Sequence, residues 1–458
     1  MTAERIARTG PIPGWERDSG SDRASGALTR LAHVIVFALP ILAAFGPFIP
    51  GVGSLFAFRA AALLLLVLAV LGRKSTVRSA ARQSTVVLAA VWMFVTAMSL
   101  LAVGPAAESW GELLSLISGI AALLALSLLP SPGRALTLFL RGWLVGYIVI
   151  SALAVAEMIT GSSISASLAQ GRTIDGWGLT VVFFNPNNYA TYLLYSFLAL
   201  FALWARVRTK AAKVLCFLAL ASVPVLMTFT NSRTGVWTAA AFIVVSILLY
   251  LRTRRLLRFA LVIVTVLAAV LVLDRVEENP IVELADYIGN AGYSIDVLGF
   301  QMAVDSSTYV RWELVLAGLA LFALRPLLGW GPGAFEGAVV SNGMDTRTLG
   351  VISPHNGFIE VLAQYGIFVF AVFVFWLGRM LVVGIRQRKD PDRVVSAGGI
   401  VLLIGIASLP VVLTMHSSTL DPSTTWVFFG LLLLIARAAE DRAPLERSLS
   451  SGNEGGGS

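Results

Sequence analysis

Only three histidines occur in the chain, His33, His355 and His416, and the last two sit in polar turns beside long apolar runs. In Pro354-His355-Asn356-Gly357 and His416-Ser417-Ser418-Thr419 an imidazole can exchange a proton near neutral pH. For His416 the simpler role is capping or orientation, since Ser417, Ser418, Thr419 and Asp421 follow it. Two arginines stand out as well, one in a polar turn and one in an apolar context. Arg233 lies in the tight turn Asn231-Ser232-Arg233-Thr234-Gly235, and Arg311 lies in Tyr309-Val310-Arg311-Trp312-Glu313. A guanidinium fixed in a polar turn binds phosphate through a two-pronged fork. The plainer alternatives are snorkelling to lipid phosphate for Arg233, and pairing with Glu313 or resting on an aromatic face for Arg311. A fourth segment, Phe184-Asn185-Pro186-Asn187-Asn188, offers amides either for a substrate or for capping the helix that the proline starts. A base for a proton and two cations for an anion are the parts of a phosphate-dependent transfer reaction.

Other chemistries find less support. No HxxxH or DxD pair stands in the polar segments, so a metal is not expected, and Cys216 is the lone cysteine. The run Gly329-Trp330-Gly331-Pro332-Gly333-Ala334-Phe335 is Gly-rich but lacks the Lys-Ser/Thr ending and preceding strand of a nucleotide-binding loop. Its glycines are expected to shape a tight turn.

The elements that must position these residues are membrane spans. Hydrophobic residues make up 57% of the chain, charged residues 13%, and mean hydropathy is +0.82. Soluble domains carry about 25% charged residues, so the class is membrane-embedded. Runs long enough to cross the hydrocarbon layer fall near 32–50, 55–72, 85–104, 111–130, 136–159, 189–206, 212–230, 235–251, 257–273, 366–385, 396–415 and 425–438, about twelve in all. The net charge of +8 comes from short Arg/Lys clusters between these runs, which suits topology control rather than nucleic-acid binding. Arg73 to Arg82, Arg134, Arg206 to Lys213, Arg252 to Arg258 and Arg386 to Arg393 fall on every second loop, while the opposite short loops hold almost none. Both termini are therefore expected in the cytoplasm, in an all-α polytopic bundle. Residues 1–30 and 439–458 are expected as cytoplasmic disordered tails around a transmembrane domain over 31–438. The long connections 160–188 and 274–365 then lie outside. The second is expected to be an external subdomain, with a helix over Thr308 to Leu324, because it is too long for a bare linker. Arg233 stands on the face otherwise cleared of positive charge, which calls for an anionic partner.

Taken in order, these segments resemble the O-antigen ligase and O-antigen polymerase superfamily of bacterial membrane glycosyltransferases. The resemblance rests on FNPNN (Phe184 to Asn188), SRTG (Ser232 to Gly235), Arg311 ahead of PLLGWGPGAF (Pro326 to Phe335), and HNGFIEVLAQYGIFV (His355 to Val369). It covers about 180 residues, with only hydropathy in the N-terminal spans. It implies transfer of a glycan from a polyprenyl-pyrophosphate carrier to an acceptor hydroxyl on the non-cytoplasmic face of the bacterial inner membrane. Ligases of this kind serve the lipid A core, polymerases serve another lipid-linked unit, and some relatives modify protein. By that resemblance Arg233 and Arg311 handle the pyrophosphate and His355 is the base. Asn187, Asn188, Ser232, Asn356 and His416 are supporting substrate contacts, and no cofactor is implied. The Arg311-to-His355 spacing is short for the family, which implies a trimmed external subdomain and leaves the acceptor type open. Two rival readings are compatible with the membrane class. A lipid-linked glycan transporter would call for ionisable residues mid-span, whereas Arg59 and Arg141 lie near span ends. A peptidoglycan-type glycosyltransferase would lean on an external carboxylate such as Asp305, Asp345 or Asp421.

Overall fold

The computed structural model describes residues 20–48, 56–72, 79–105, 109–164, 178–183, 185–250, 261–266, 268, 293–297, 300–304, 306–345, 348 and 350–441. Phe184, most of the expected ninth span, and large parts of the 160–188 and 274–365 connections lie outside these residues, as do most of the two expected tails.

The described chain is a helical bundle. In order, it has α1 (Gly20–Phe45), α2 (Ala57–Leu71), α3 (Ala80–Val103), α4 (Ser109–Leu128), α5 (Pro132–Thr160), α6 (Pro186–Arg206), α7 (Lys210–Thr228) and α8 (Arg233–Tyr250). A hairpin of β1 (Tyr293–Val297) and β2 (Phe300–Val304) follows, then α9 (Ser306–Leu324), α10 (Phe335–Ser341), α11 (Gly357–Gln387), α12 (Arg393–Ala407), α13 (Leu409–Val412) and α14 (Ser423–Glu440). Nine helices among the described residues are long and apolar enough to cross a membrane: α1 over Ala27–Phe45, α3 to α8, α11 and α14. The helices α2 and α12 are apolar but shorter. The apolar run expected as one span at 396–415 is divided between α12 and α13, with Ser408 between them. The antiparallel hairpin, with Tyr293 opposite Val304, has no counterpart in the helical expectation.

Burial sorts the helices into layers. In α6 and α14, 83% of the span is buried, against 28% in α7, so the first two form the centre and α7 faces outward. A helix apolar on all sides buries on all sides only when neighbours surround it. Around the centre, α4 and α5 pack on α14, and α5 and α12 pack on α6. The indole of Trp92 on α3 joins this core, with ring centroids 5.5 Å from Tyr365, 5.8 Å from Phe373 and 5.7 Å from Trp426. Close helix crossings require small residues: a Cβ on Gly142 of α5 would lie 1.8 Å from the Phe37 carbonyl oxygen of α1.

The two ends of the bundle differ in chemistry. At one end Glu440 closes α14 by accepting the Ser79 hydroxyl and the Ala81 N–H at the start of α3, and Arg437 donates to the carbonyls of Leu126 (2.7 Å) and Leu129 (3.0 Å). A cleft at the same end is lined by Gly133, Arg206, Gln387, Val394 and Ala438. The basic residues at the end of α6, after α11 and in the first turns of α5 and α12 therefore collect there. The candidate site residues occupy the opposite helix ends.

Candidate functional site

The site end is assembled from helix starts. Asn185 caps α6, its side-chain oxygen accepting the Asn187 N–H at 2.8 Å, and Pro186 begins the helix with a preset φ. The segment ahead of α6 is held by Glu157 of α5, whose carboxylate accepts the N–H groups of Ile164 (3.1 Å) and Thr180 (3.2 Å). That segment also reaches the next helix pair, because Leu179 N–H donates to the Phe229 carbonyl at 2.9 Å. At the start of α8, Ser232 is buried and its hydroxyl accepts the Gly235 N–H at 3.3 Å. A Cβ on Gly235 would lie 3.1 Å from the Cβ of Ala190. The helix that begins with Arg233 is thereby seated against the first turn of α6, and Arg233 stands half-buried at its tip.

Histidine and asparagine meet at the centre of this end. His416 is 1% exposed, and its Nδ1 lies 2.8 Å from Oδ1 of Asn188. An amide oxygen accepts, so Nδ1 carries the proton and Nε2 keeps its lone pair. His355, partly buried, is within electrostatic reach of both Arg311 and His416. Its backbone takes φ +43°, a region that costs a non-glycine residue about 1–3 kcal/mol unless its surroundings hold it. Burial first, and then the Arg311 charge, push the His355 imidazole from 6.5 down to about 4, with the His416 carbonyl pulling the other way. Burial, reinforced by His355, brings His416 to about 4 as well. Both rings are neutral at neutral pH and can accept a proton. The structure thus groups His355, His416, Arg311 and Asn188, and the seating of α8 on α6 brings Arg233 to the same end. Asn187 and Asn356 are spent partly on the helix starts. The Asn187 carbonyl accepts the Thr191 hydroxyl at 3.0 Å, and the Asn356 side chain caps α11 through the N–H groups of Phe358 (3.1 Å) and Ile359 (3.2 Å).

The Gly-rich run has a definite structural use. Helix α11 is broken at Gly366 (φ +71°), and the loop between α9 and α10 docks on the break. Trp330 and Gly331 donate to the freed carbonyls of Ala363 (3.1 Å) and Gln364 (2.8 Å), Gly333 donates to the Gln364 side chain (2.8 Å), and Ile367 donates to the Pro326 carbonyl (2.8 Å). Gly329 and Gly366 must lack side chains, since a Cβ at either would lie within 2.4 Å of partner backbone. Arg325 rests over the Trp330 ring at 4.2 Å.

Several polar groups at this end are not among the site residues expected from the sequence. Glu112, near the start of α4, accepts the Tyr365 hydroxyl at 2.8 Å. Arg59, near the start of α2, donates to the Ser115 hydroxyl at 2.6 Å, which donates in turn to Asp421 at 2.9 Å. Glu360, fully buried, accepts from Ser418 and Thr419. Each lies inside or beside an apolar run, and each partner is remote in sequence. Charge within a span was the one available hint.

A helical bundle with nine long apolar helices among the described residues, and with imidazoles and guanidiniums gathered at one end, defines a polytopic membrane protein. Residues 214–374, from α7 into α11, match the family model described as O-antigen ligase. Over that stretch the chain is similar to the O-antigen ligase family, which supports the resemblance to the O-antigen ligase and polymerase superfamily. The matched stretch holds Arg233, Arg311 and His355, while Asn188 and His416 lie outside it. A search of curated proteins finds no match to this chain.

Proposed function

We propose that this protein transfers a glycan from a polyprenyl-pyrophosphate carrier to an acceptor hydroxyl on the non-cytoplasmic face of the bacterial inner membrane. The observation that carries this reading is a neutral, largely buried His355 coupled electrostatically to Arg311, both inside the family match. Nucleotide sugars are cytoplasmic, so transfer on the far face needs a donor already carried across on lipid. The acceptor oxygen attacks the anomeric carbon as the bond from that carbon to the pyrophosphate oxygen breaks. The electron pair leaves with pyrophosphate, and the hydroxyl proton passes to His355. A single displacement of this kind inverts the anomeric centre. Arg233 and Arg311 clamp the pyrophosphate where charge develops, a contribution of about 3–4 kcal/mol for a well-placed donor. Asn187, Asn188, Ser232, Asn356 and His416 support the bound groups.

Purified protein reconstituted with undecaprenyl-pyrophosphate-linked oligosaccharide is expected to release the carrier as glycan moves to an acceptor. His355→Ala is expected to abolish release while the protein remains folded and inserted; full activity of that variant would end the proposal. Lengthening of the lipid-linked chain would identify a polymerase, and movement to a different acceptor a ligase.

A further inference from the structure

The loop after α13 is locked to the start of α11 by bonds running in both directions. Its carbonyls accept the backbone N–H of His355 (Ser417 O, 3.1 Å) and of Gly357 (Leu413 O, 3.2 Å). In return the Glu360 carboxylate, one turn into α11, accepts the Ser418 hydroxyl at 2.5 Å and the Thr419 N–H at 2.7 Å. The approach is tight, since a Cβ on Gly357 would lie 2.5 Å from Oγ1 of Thr419. This loop also carries His416, whose ring is turned by Asn188 so that the buried Nε2 has no protein partner among the described residues. One carboxylate on α11 therefore ties down the segment that bears one imidazole and braces the backbone of the other. Burying a carboxylate is costly, and an apolar residue of similar size would fill the space more cheaply. That points to geometry, rather than stability, as what Glu360 supplies.

We propose that Glu360 is the positioning residue of the site: by holding Ser418 and Thr419, it fixes His355 and His416 in the arrangement that serves the acceptor hydroxyl. The inference deepens the glycosyl-transfer reading and rests on it. In this assignment Glu360 acts through the Ser418 and Thr419 contacts, so its loss is felt through the two imidazoles and leaves the arginine clamp intact.

The test is steady-state release of undecaprenyl pyrophosphate by the reconstituted full chain, alongside calorimetric binding of inorganic pyrophosphate. A loosened base typically costs about 100-fold, and Glu360→Ala is expected to lower kcat by about that factor. Its KM for the lipid-linked donor and its pyrophosphate affinity should stay at wild-type values. The acid limb of its pH profile should move up, because His355 loses its fixed burial beside Arg311 and His416. Glu360→Gln keeps an oxygen for Thr419 and an amide that can donate to Ser418, so it is expected to restore most of the rate. A residue that only filled space would reduce the folded yield and leave kcat per folded molecule and the pH profile alone. Should Glu360→Ala not fold, Ser418→Ala removes one of the two bonds from the loop side and is expected to shift the profile in the same direction. Wild-type kcat and pH profile in folded Glu360→Ala, or in Ser418→Ala if the former does not fold, would overturn the proposal. An active His355→Ala would instead overturn the transfer reading, so the two failures are distinguishable.

Discussion

At the scale of single residues, the consequential pairing is an imidazole beside a guanidinium. Arg311 lowers the proton affinity of His355 in the free protein. A pyrophosphate bound to Arg311 would offset that charge, so donor binding strengthens the base at the moment it is needed. The sign follows directly. The profile of kcat/KM reports the free enzyme and should lose activity only as pH falls toward about 4, whereas kcat reports the donor complex and should fall at higher pH. Coincident acid limbs, measured on reconstituted protein, would remove this link between clamp and base. The histidines and arginines were legible in the sequence because each interrupts apolar surroundings. Glu112, Glu157 and Glu360 were not, because a carboxylate's value here depends on partners up to 253 residues away.

At the scale of elements, caps and breaks do the positioning. The start of α6 was legible as an Asn and Pro signal, and α9 was expected within two residues of its observed start. The break in α11 was not, since a glycine at the edge of an apolar run, like Gly378 within it, carries no sign of a left-handed backbone. The structure does distinguish them. Gly366 has φ +71°, and a Cβ there would lie 2.4 Å from the Leu327 carbonyl oxygen, whereas a Cβ on Gly378 has nothing within 4 Å. Gly366→Ala is therefore expected to destabilise the protein by at least about 2 kcal/mol, and Gly378→Ala to be near neutral. Thermal unfolding of both variants in the same detergent checks the contrast.

At the scale of the whole molecule, charge distribution defines two faces. The sequence clusters of Arg and Lys alternate from loop to loop, and the fold gathers the described ones at the end opposite His355 and His416. With the buried Cys216 replaced by alanine, single cysteines can report the sidedness. A membrane-impermeant maleimide is expected to label Asn342→Cys in intact spheroplasts and Lys389→Cys only after lysis, both positions being exposed. The reverse pattern would place the site on the cytoplasmic face and contradict the proposed donor. The helical membrane class was legible from composition and the lengths of the apolar runs, because hydropathy acts over each span independently. The hairpin and the layering were not, because packing order depends on pairwise fits such as Gly142 against Phe37.

The docking of the Gly-rich loop on the broken helix has a consequence for slow fluctuations. Trp330 and Gly331 bond to carbonyls on the site side of the break, and Ile367 bonds back to Pro326 from the other side. Neither partner can open without breaking bonds of the other, so the two segments form one cooperative unit despite their separation along the chain. Deuterium uptake at the amides of Gly331 and Ile367 should rise and fall together, and Gly366→Ala should quicken exchange at both.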